Sequence, residues 1–174
     1  MNISIIGTGY VSLVTGFCFA DFGLSVTWVD QDETKISLLN SDGVPVYEPN
    51  LAPLIEENIS AGRFTFTTDL EKAVKESKVI FIAVCTPSND DGSVNLVQIE
   101  EVGKQIALSI NNYKTNVIKS TVSIDNTLKI NKIIVRKQVL PLLQATEGST
   151  AIPPSVIPAN LNLLCNSSIS RNLN

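Results

Sequence analysis

Two glycines after an apolar run form the clearest chemical pattern in the sequence. Gly7 and Gly9 directly follow Ile3–Ile6, and a helical stretch begins just beyond them. In the dinucleotide fingerprint G-x-G-x-x-G, the first glycine makes a tight turn and the second lets the backbone approach a pyrophosphate. The third glycine allows close packing of helix and strand. Ser12 stands at that third place, so we expect a slightly wider helix–strand spacing and a weakened site.

An acidic residue follows at the place where the ribose of a dinucleotide needs one. Asp30 ends the second strand pattern, 18 residues after Ser12, where an acid accepts hydrogen bonds from the adenosine ribose hydroxyls. Its charge would repel the 2′-phosphate of NADP, and no arginine stands beside it in the sequence. The pattern therefore favours NAD over NADP. The alternative is an ordinary strand–helix turn that binds no ligand.

Strand and helix patterns alternate along the chain and would position these residues. Such alternation predicts an α/β fold with a doubly wound parallel sheet of the Rossmann type. We expect one domain over residues 1–137 and a poorly ordered tail, rich in Asn, Ser and Pro, over residues 138–174. The predicted strands are 3–6, 25–29, 64–67, 79–84 and 116–119, and the predicted helices are 10–22, 33–40, 51–60, 70–76 (with Asp69 as N-cap), 96–110 and 126–137; 43–49 is predicted to be extended or turned.

The composition excludes several classes of function. A net charge of −4 argues against nucleic acid or a membrane surface as partner, because phosphates repel an acidic protein. Without histidine, a His-based triad, a His metal site and imidazole acid–base catalysis are excluded. Three widely spaced cysteines fit a reduced, cytoplasmic protein better than a disulfide framework. The glycine-broken N-terminus lacks a basic start and is predicted to be strand and helix rather than a signal peptide.

Two of the cysteines fall within predicted elements or beside them. Cys85 follows the fourth strand pattern, at the end where open sheets bind ligands. A catalytic thiol there would need a cationic neighbour or a base, and the sequence shows none nearby. We therefore predict that Cys85 packs as a small hydrophobic residue. Cys18 lies inside the first predicted helix and is predicted to be a core residue.

Several segments together resemble the NAD-binding domain of the UDP-glucose/GDP-mannose dehydrogenase family. They follow one another in the family's order and spacing over about 120 residues: GTGYV with LVTG, VDQD with Lys35, PVYEPNL, FIAVCTP with DGS, and KSTV. In that family the enzyme oxidises the C6 alcohol of a nucleotide sugar to a carboxylate with two NAD. The cofactor-binding residues that the resemblance implies are Gly7, Gly9, Tyr10, Val11, Asp30, Lys35, Thr86 and Thr121.

The resemblance also implies a role for several of these residues. Val11 would lie behind the pyrophosphate, and Asp30 and Lys35 would hold the adenosine ribose. Thr86 would line the dinucleotide cleft. Thr121 would lie near the nicotinamide and the reacting carbon, which makes it the one catalytic candidate. Both threonines follow predicted strands at their carboxyl ends, where open α/β sheets bind ligands.

The chain also departs from the family pattern. Cys85 stands where the family often has glycine, and Ser123–Asn126 replace a segment with proline, a small residue, glycine and threonine. We expect the substrate domain, which carries the family's cysteine nucleophile and lysine, to be missing. The expected partners are NAD and, only if that domain is supplied elsewhere, a UDP-sugar; self-association or a partner domain stays open.

Three hypotheses about function remain at this point. The chain is the nucleotide-binding part of a nucleotide-sugar dehydrogenase, inactive alone, or it is an NAD-binding module that performs no redox chemistry. In the third hypothesis it is a non-functional remnant, in which a frameshift after about Val122 replaced the original sequence.

Overall fold

The computed structural model describes residues 1–41 and 57–146, with side chains up to residue 135. The predicted extended segment 43–49 lies outside the described residues, as does most of the predicted helix 51–60, of which residues 57–60 are helical. The chain divides into two units, Met1–Gln138 and Val139–Asn174. From residue 147 on, the second unit also lies outside the described residues.

Five parallel strands form a single sheet in the described part of the chain. Neighbouring strands pair in the order β3-β2-β1-β4-β5, so β1 is central and the chain crosses from β3 back over it to β4. This topology confirms the predicted doubly wound Rossmann-type sheet. The strands are β1 (Asn2–Ile6), β2 (Ser25–Val29), β3 (Phe64–Thr67), β4 (Val79–Ile82) and β5 (Thr115–Ile118).

The helices alternate with these strands along the chain, and the last follows β5; they lie close to their predicted positions. The last helix begins two residues before its predicted start. It ends at Thr146, beyond the predicted helix end and domain limit at 137. The predicted N-cap Asp69 is confirmed, because its carboxylate accepts a hydrogen bond from Lys72 N. The helices are α1 (Tyr10–Asp21), α2 (Glu33–Asn40), α3 (Leu70–Glu76), α4 (Val97–Ser109) and α5 (Ile124–Thr146).

The sheet separates two apolar cores. One contains Ile80, Ile82 and Val74, together with buried residues of α4 and α5. The other is built around Trp28, the sole tryptophan of the chain, which is completely buried. The rings of Phe17, Phe64 and Phe66 surround it with centroid distances of 5.1, 5.1 and 5.0 Å. These aromatic contacts fix α1 against β2 and β3.

The closest approach of α1 to the sheet occurs at Gly16. A Cβ atom at this position would lie 2.1 Å from Cζ2 of Trp28 and 2.8 Å from Cδ1 of Ile5. The serine at the third fingerprint position is also buried, with its hydroxyl donating to Gly9 O at 2.6 Å and its carbonyl accepting from the Trp28 indole at 3.3 Å. The tight packing that the fingerprint assigns to its third glycine is therefore made here by Gly16, one turn later.

The prediction that Cys18 belongs to the core was wrong, because its side chain is exposed. Apolar residues occupy nearly all sides of α1, so the sequence pattern does not show which face is buried. In the structure Leu13, Phe17 and Ala20 point into the core, and Cys18 falls just outside that stripe.

No helix within residues 1–41 and 57–146 is long and apolar enough to cross a membrane.

Replacing the two helical glycines Gly16 and Gly103 by alanine should have opposite effects on stability. Gly16→Ala forces a methyl group into Trp28 and should lower the free energy of unfolding by about 2–3 kcal/mol. A Cβ at Gly103 would lie 3.4 Å from Cγ2 of Ile130, an ordinary contact, so Gly103→Ala should gain about 0.5–1 kcal/mol from helix propensity. Urea denaturation followed by circular dichroism measures both. Equal stability of the two variants would contradict the packing described here.

Candidate dinucleotide site

The turn after β1 can be made only by glycine. Gly7 has a φ of +106°, and its N–H donates to Val29 O at 2.7 Å. A Cβ atom at Gly7 would lie 2.5 Å from the carbonyl oxygen of Ala83, in the segment after β4. Both the backbone conformation and the lack of space therefore exclude any side chain at this position. The turn is held between the ends of β2 and β4.

Gly9 is placed differently, because no atom of the residues that the structure describes lies within 4 Å of a Cβ built there. Its φ of −71° is open to any residue, and it is the N-cap of α1. Within the described residues no side chain caps this end of α1, so the N–H groups of the first turn are left as donors with a positive helix end behind them. Open space beside such donors fits a pyrophosphate, which would come closest to the backbone at Gly9.

A cleft of about 350 Å³ lies beside this turn. It is formed at the carboxyl ends of β1, β2 and β4, with contributions from the start of α2 and from α4. Four of the predicted site residues line it: Gly7, Gly9, Asp30 and Lys35. Tyr10 and Val11, at the start of α1, are 54% and 56% exposed and are not among its lining residues.

The carboxylate of Asp30 is fixed by three hydrogen bonds. Its Oδ2 accepts from the backbone N of Thr8 at 3.0 Å and from Thr8 Oγ1 at 2.5 Å, and its Oδ1 accepts from Asp32 N at 3.0 Å. Burial alone would raise the pKa of Asp30. The bonds from Thr8 and Asp32, together with the positive charge of Lys35, outweigh burial and hold the pKa below its usual value. Asp30 is therefore an ionised acceptor at neutral pH.

Thr8 is not among the site residues predicted from the sequence. Its place between two fingerprint glycines was the available signal, but the contact with Asp30 joins residues 22 positions apart and depends on how the ends of β1 and β2 lie together.

Lys35 places a positive charge near Asp30. It lies in the first turn of α2, and its Nζ is 3.8 Å from Oδ2 of Asp32. Asp32 is the N-cap of that helix and accepts hydrogen bonds from Thr34 N and Lys35 N. Since the Lys35 side chain is 58% exposed, its ammonium group has room to turn from Asp32 towards a ligand in the cleft.

The segments after β4 and β5 are joined to each other. Thr86 Oγ1 donates to the carbonyl oxygen of Thr121 at 3.1 Å, and Ser120 Oγ donates to Val84 O at 2.7 Å. The structure thus brings together the two threonines that were predicted as site residues. Neither of them is among the residues that line the cleft described above, so they form a second group beside it.

Cys85 lines the cleft and is exposed, so the prediction that it packs as a small hydrophobic residue was wrong. The fourth strand pattern continues to Val84, but β4 ends at Ile82. At this point Ile82 O accepts from Lys119 N and Ser120 N. Cys85 therefore belongs to a loop at the carboxyl end of the sheet rather than to the buried strand.

The lowered pKa of Asp30 predicts how its contribution to stability depends on pH. A depressed pKa stabilises the folded state above the unfolded-state pKa of about 3.9, and this stabilisation is lost as pH falls through the folded value. Asp30→Asn should cost about 1 kcal/mol at pH 7, and the difference from the parent should shrink below about pH 4. Urea denaturation from pH 7 to 3 measures this, with Asp21→Asn as the matched exposed change. A difference that stays constant at low pH would contradict the network.

Sequence comparison identifies relatives of the chain. The UDP-glucose/GDP-mannose dehydrogenase family, NAD binding domain, matches residues 1–149. UDP-glucose 6-dehydrogenase of Rhizobium meliloti (strain 1021) is 44% identical over 135 residues, which are 77% of this chain and 31% of that protein. UDP-glucose 6-dehydrogenase TuaD of Bacillus subtilis (strain 168) is 44% identical over 136 residues, 78% of this chain and 29% of that protein.

Solved structures show the same fold. GDP-mannose dehydrogenase from Pseudomonas aeruginosa, in a ternary complex, matches with a TM-score of 0.71 and 37% identity over 80% of this chain and 32% of its own. UDP-glucose dehydrogenase from Pyrobaculum islandicum matches with a TM-score of 0.73 and 28% identity, over 78% of this chain and 32% of its own. The chain thus spans about a third of the length of these relatives. It belongs to the UDP-glucose/GDP-mannose dehydrogenase family, of which it holds the NAD-binding domain.

Proposed function

We propose that this chain is the NAD-holding part of a nucleotide-sugar dehydrogenase of the UDP-glucose 6-dehydrogenase type. The observation that carries the proposal is the convergence of three features on one cleft: the Gly7 turn, the uncapped start of α1 and the ionised Asp30. The Gly7 turn and the start of α1 suit the pyrophosphate of a dinucleotide, and Asp30 suits its adenosine ribose. Similarity to UDP-glucose 6-dehydrogenases supports UDP-glucose as the sugar nucleotide.

The residues of the cleft and of the start of α1 fit the pyrophosphate and the adenosine ribose of NAD. The pyrophosphate would lie over Gly9 and the first turn of α1, where Tyr10 and Val11 contribute backbone N–H donors. The adenosine ribose would lie at Asp30, which accepts from its hydroxyls, with Lys35 beside it. When bound, NAD supplies the hydride acceptor for oxidation of an alcohol.

The loops after β4 and β5 would adjoin the reacting end of the cofactor. Thr86 and Thr121 follow the carboxyl ends of these strands, the edge at which open α/β sheets bind ligands. The hydrogen bond from Thr86 Oγ1 to Thr121 O joins the two loops. We assign Thr121, which is exposed, as the residue next to the nicotinamide and the reacting carbon.

The chain alone would bind the cofactor without turning over a sugar nucleotide. It spans about a third of the relatives, and the cysteine and lysine that complete the reaction belong to a substrate domain in this family. We propose that a UDP-sugar binds only when that domain is supplied, and that the complete enzyme works in the cytoplasm. The free thiols of Cys18 and Cys85 are consistent with a reducing compartment.

The two other hypotheses differ from this one in testable ways. A change of frame just after Val122 is disfavoured, because the family match continues to residue 149 and α5 (Ile124–Thr146) forms a long helix there. An NAD-binding module without redox chemistry has the same cofactor site, and only assays with a sugar nucleotide and a substrate domain separate it from the proposed function.

The cofactor site should prefer NAD over NADP by about tenfold or more, because the ionised Asp30 would repel a 2′-phosphate. Isothermal titration of the purified chain with each nucleotide measures this preference. Asp30→Ala should weaken NAD binding and reduce the preference together, whereas Asp21→Ala, an exposed carboxylate of α1, should change neither. No saturation with NAD up to millimolar concentration, or an unchanged preference in Asp30→Ala, would contradict the assignment.

Residues 1–174 by themselves should form no NADH from UDP-glucose and NAD, because the nucleophile and the substrate site of this family belong to a domain outside the matched third of the relatives. Absorbance at the NADH wavelength tests this, and adding a substrate domain from a relative such as the Bacillus subtilis enzyme tests whether activity returns. Turnover by the chain alone that disappears in Cys85→Ser, but not in Cys18→Ser, would overturn this expectation and make Cys85 the nucleophile.

A further inference from the structure

Thr8 makes an unusual pair of contacts for a residue of the glycine turn. Its side chain is 8% exposed, and both of its donors, the backbone N–H and the hydroxyl, point to the same oxygen of Asp30. The hydroxyl bond is short, at 2.5 Å between Oγ1 and Oδ2. Thr8 and Asp30 both line the cleft, so the pair lies at the site and not behind it.

The two carboxylate oxygens of Asp30 differ in how many further hydrogen bonds they can accept. Each oxygen of an ionised carboxylate accepts about two hydrogen bonds. Among the described residues, Oδ2 of Asp30 receives two from Thr8 and is therefore filled, whereas Oδ1 receives one from Asp32 N and keeps one position free. A ligand hydroxyl can then bind at Oδ1 without displacing any contact of the turn.

We propose that Thr8 is a positioning residue for the adenosine ribose, which orients Asp30 so that Oδ1 accepts a single ribose hydroxyl. The inference depends on the ribose-binding role of Asp30 proposed above. The second ribose hydroxyl then has to find another partner, and Lys35 on α2 is the one positively charged residue among the described residues that line the cleft. Thr8 thereby joins the turn that faces the phosphates to the acid that faces the ribose.

The orientation of Asp30 matters because its carboxylate is only partly buried. A half-exposed aspartate that lacks partners samples several rotamers, and binding a ligand then requires fixing one of them. With Thr8 and Asp32 in place, that ordering is complete before NAD arrives. The hydroxyl of Thr8 contributes a hydrogen bond to Asp30 that its methyl group cannot make.

Two substitutions separate the hydroxyl from the shape of the side chain. Thr8→Val keeps the volume and the backbone N–H but removes the hydroxyl, and should weaken NAD binding about three- to tenfold in isothermal titration. Thr8→Ser keeps the hydroxyl and should bind within about twofold of the parent. Thr15→Val is the matched control, because the Thr15 hydroxyl bonds Val11 O within α1, away from the cleft. Parent-like binding by Thr8→Val would overturn the proposal.

A double-mutant cycle with Asp30→Ala distinguishes positioning from a general structural effect. If Thr8 acts through Asp30, Thr8→Val should change NAD affinity by less than about twofold once Asp30 is alanine. An equal loss in both backgrounds would show that Thr8 acts independently and would overturn the inference. Should Thr8→Val fail to fold, Thr8→Ala takes its place in the cycle.

The single variant Asp30→Ala keeps the two proposals apart. If it binds NAD as tightly as the parent, the ribose-binding role of Asp30 is wrong and the inference falls with it. If Asp30→Ala weakens binding while Thr8→Val does not, the role of Asp30 stands and only the positioning role of Thr8 is lost.

Discussion

The site depends on how closely the turn after β1 passes the chain that leaves β4. At Gly7 the backbone adopts a positive φ and leaves only 2.5 Å between the position of a Cβ and the carbonyl oxygen of Ala83. This approach sets the width of the cleft, because the turn forms one wall and the loop with Cys85 forms another. The same turn is bonded to the end of β2 through Gly7 N and Val29 O, which brings Thr8 within hydrogen-bonding distance of Asp30, so the phosphate and ribose regions of the site depend on one turn.

Much of the fold was predictable from the sequence because its local signals agree. Residues 25–29, 33–40 and 64–67 form the expected elements with the expected limits, since β-branched or aromatic runs alternate with helices that begin at capping aspartates. The limits of β4 and α5 differed from expectation. The apolar run continues to Val84, but the pairing of β4 with β5 reaches only Ile82, and pairing between distant segments leaves no local pattern.

The site was predictable in type but not in its connections. The glycine turn and Asp30 follow from spacing alone, and four of the eight predicted residues line the cleft. The bond from Thr8 to Asp30 and that from Thr86 to Thr121 span 22 and 35 positions. They arise because parallel strands end at the same edge of the sheet, and side-chain direction at that edge depends on loop geometry. The exposure of Cys18 was not predicted because α1 has apolar residues on nearly all sides, so its sequence does not show which face is buried.

The contact between Gly16 and Trp28 links two positions that are distant in the sequence. A methyl group at 16 and an indole at 28 cannot occupy the same space, so the two positions are not free to vary separately over evolutionary time. A lineage that keeps tryptophan at 28 loses stability when position 16 gains a side chain, whereas loss of the indole opens the helix position to larger residues. The order of substitutions is therefore constrained, because replacement of Trp28 by a smaller residue has to precede replacement of Gly16 by a larger one.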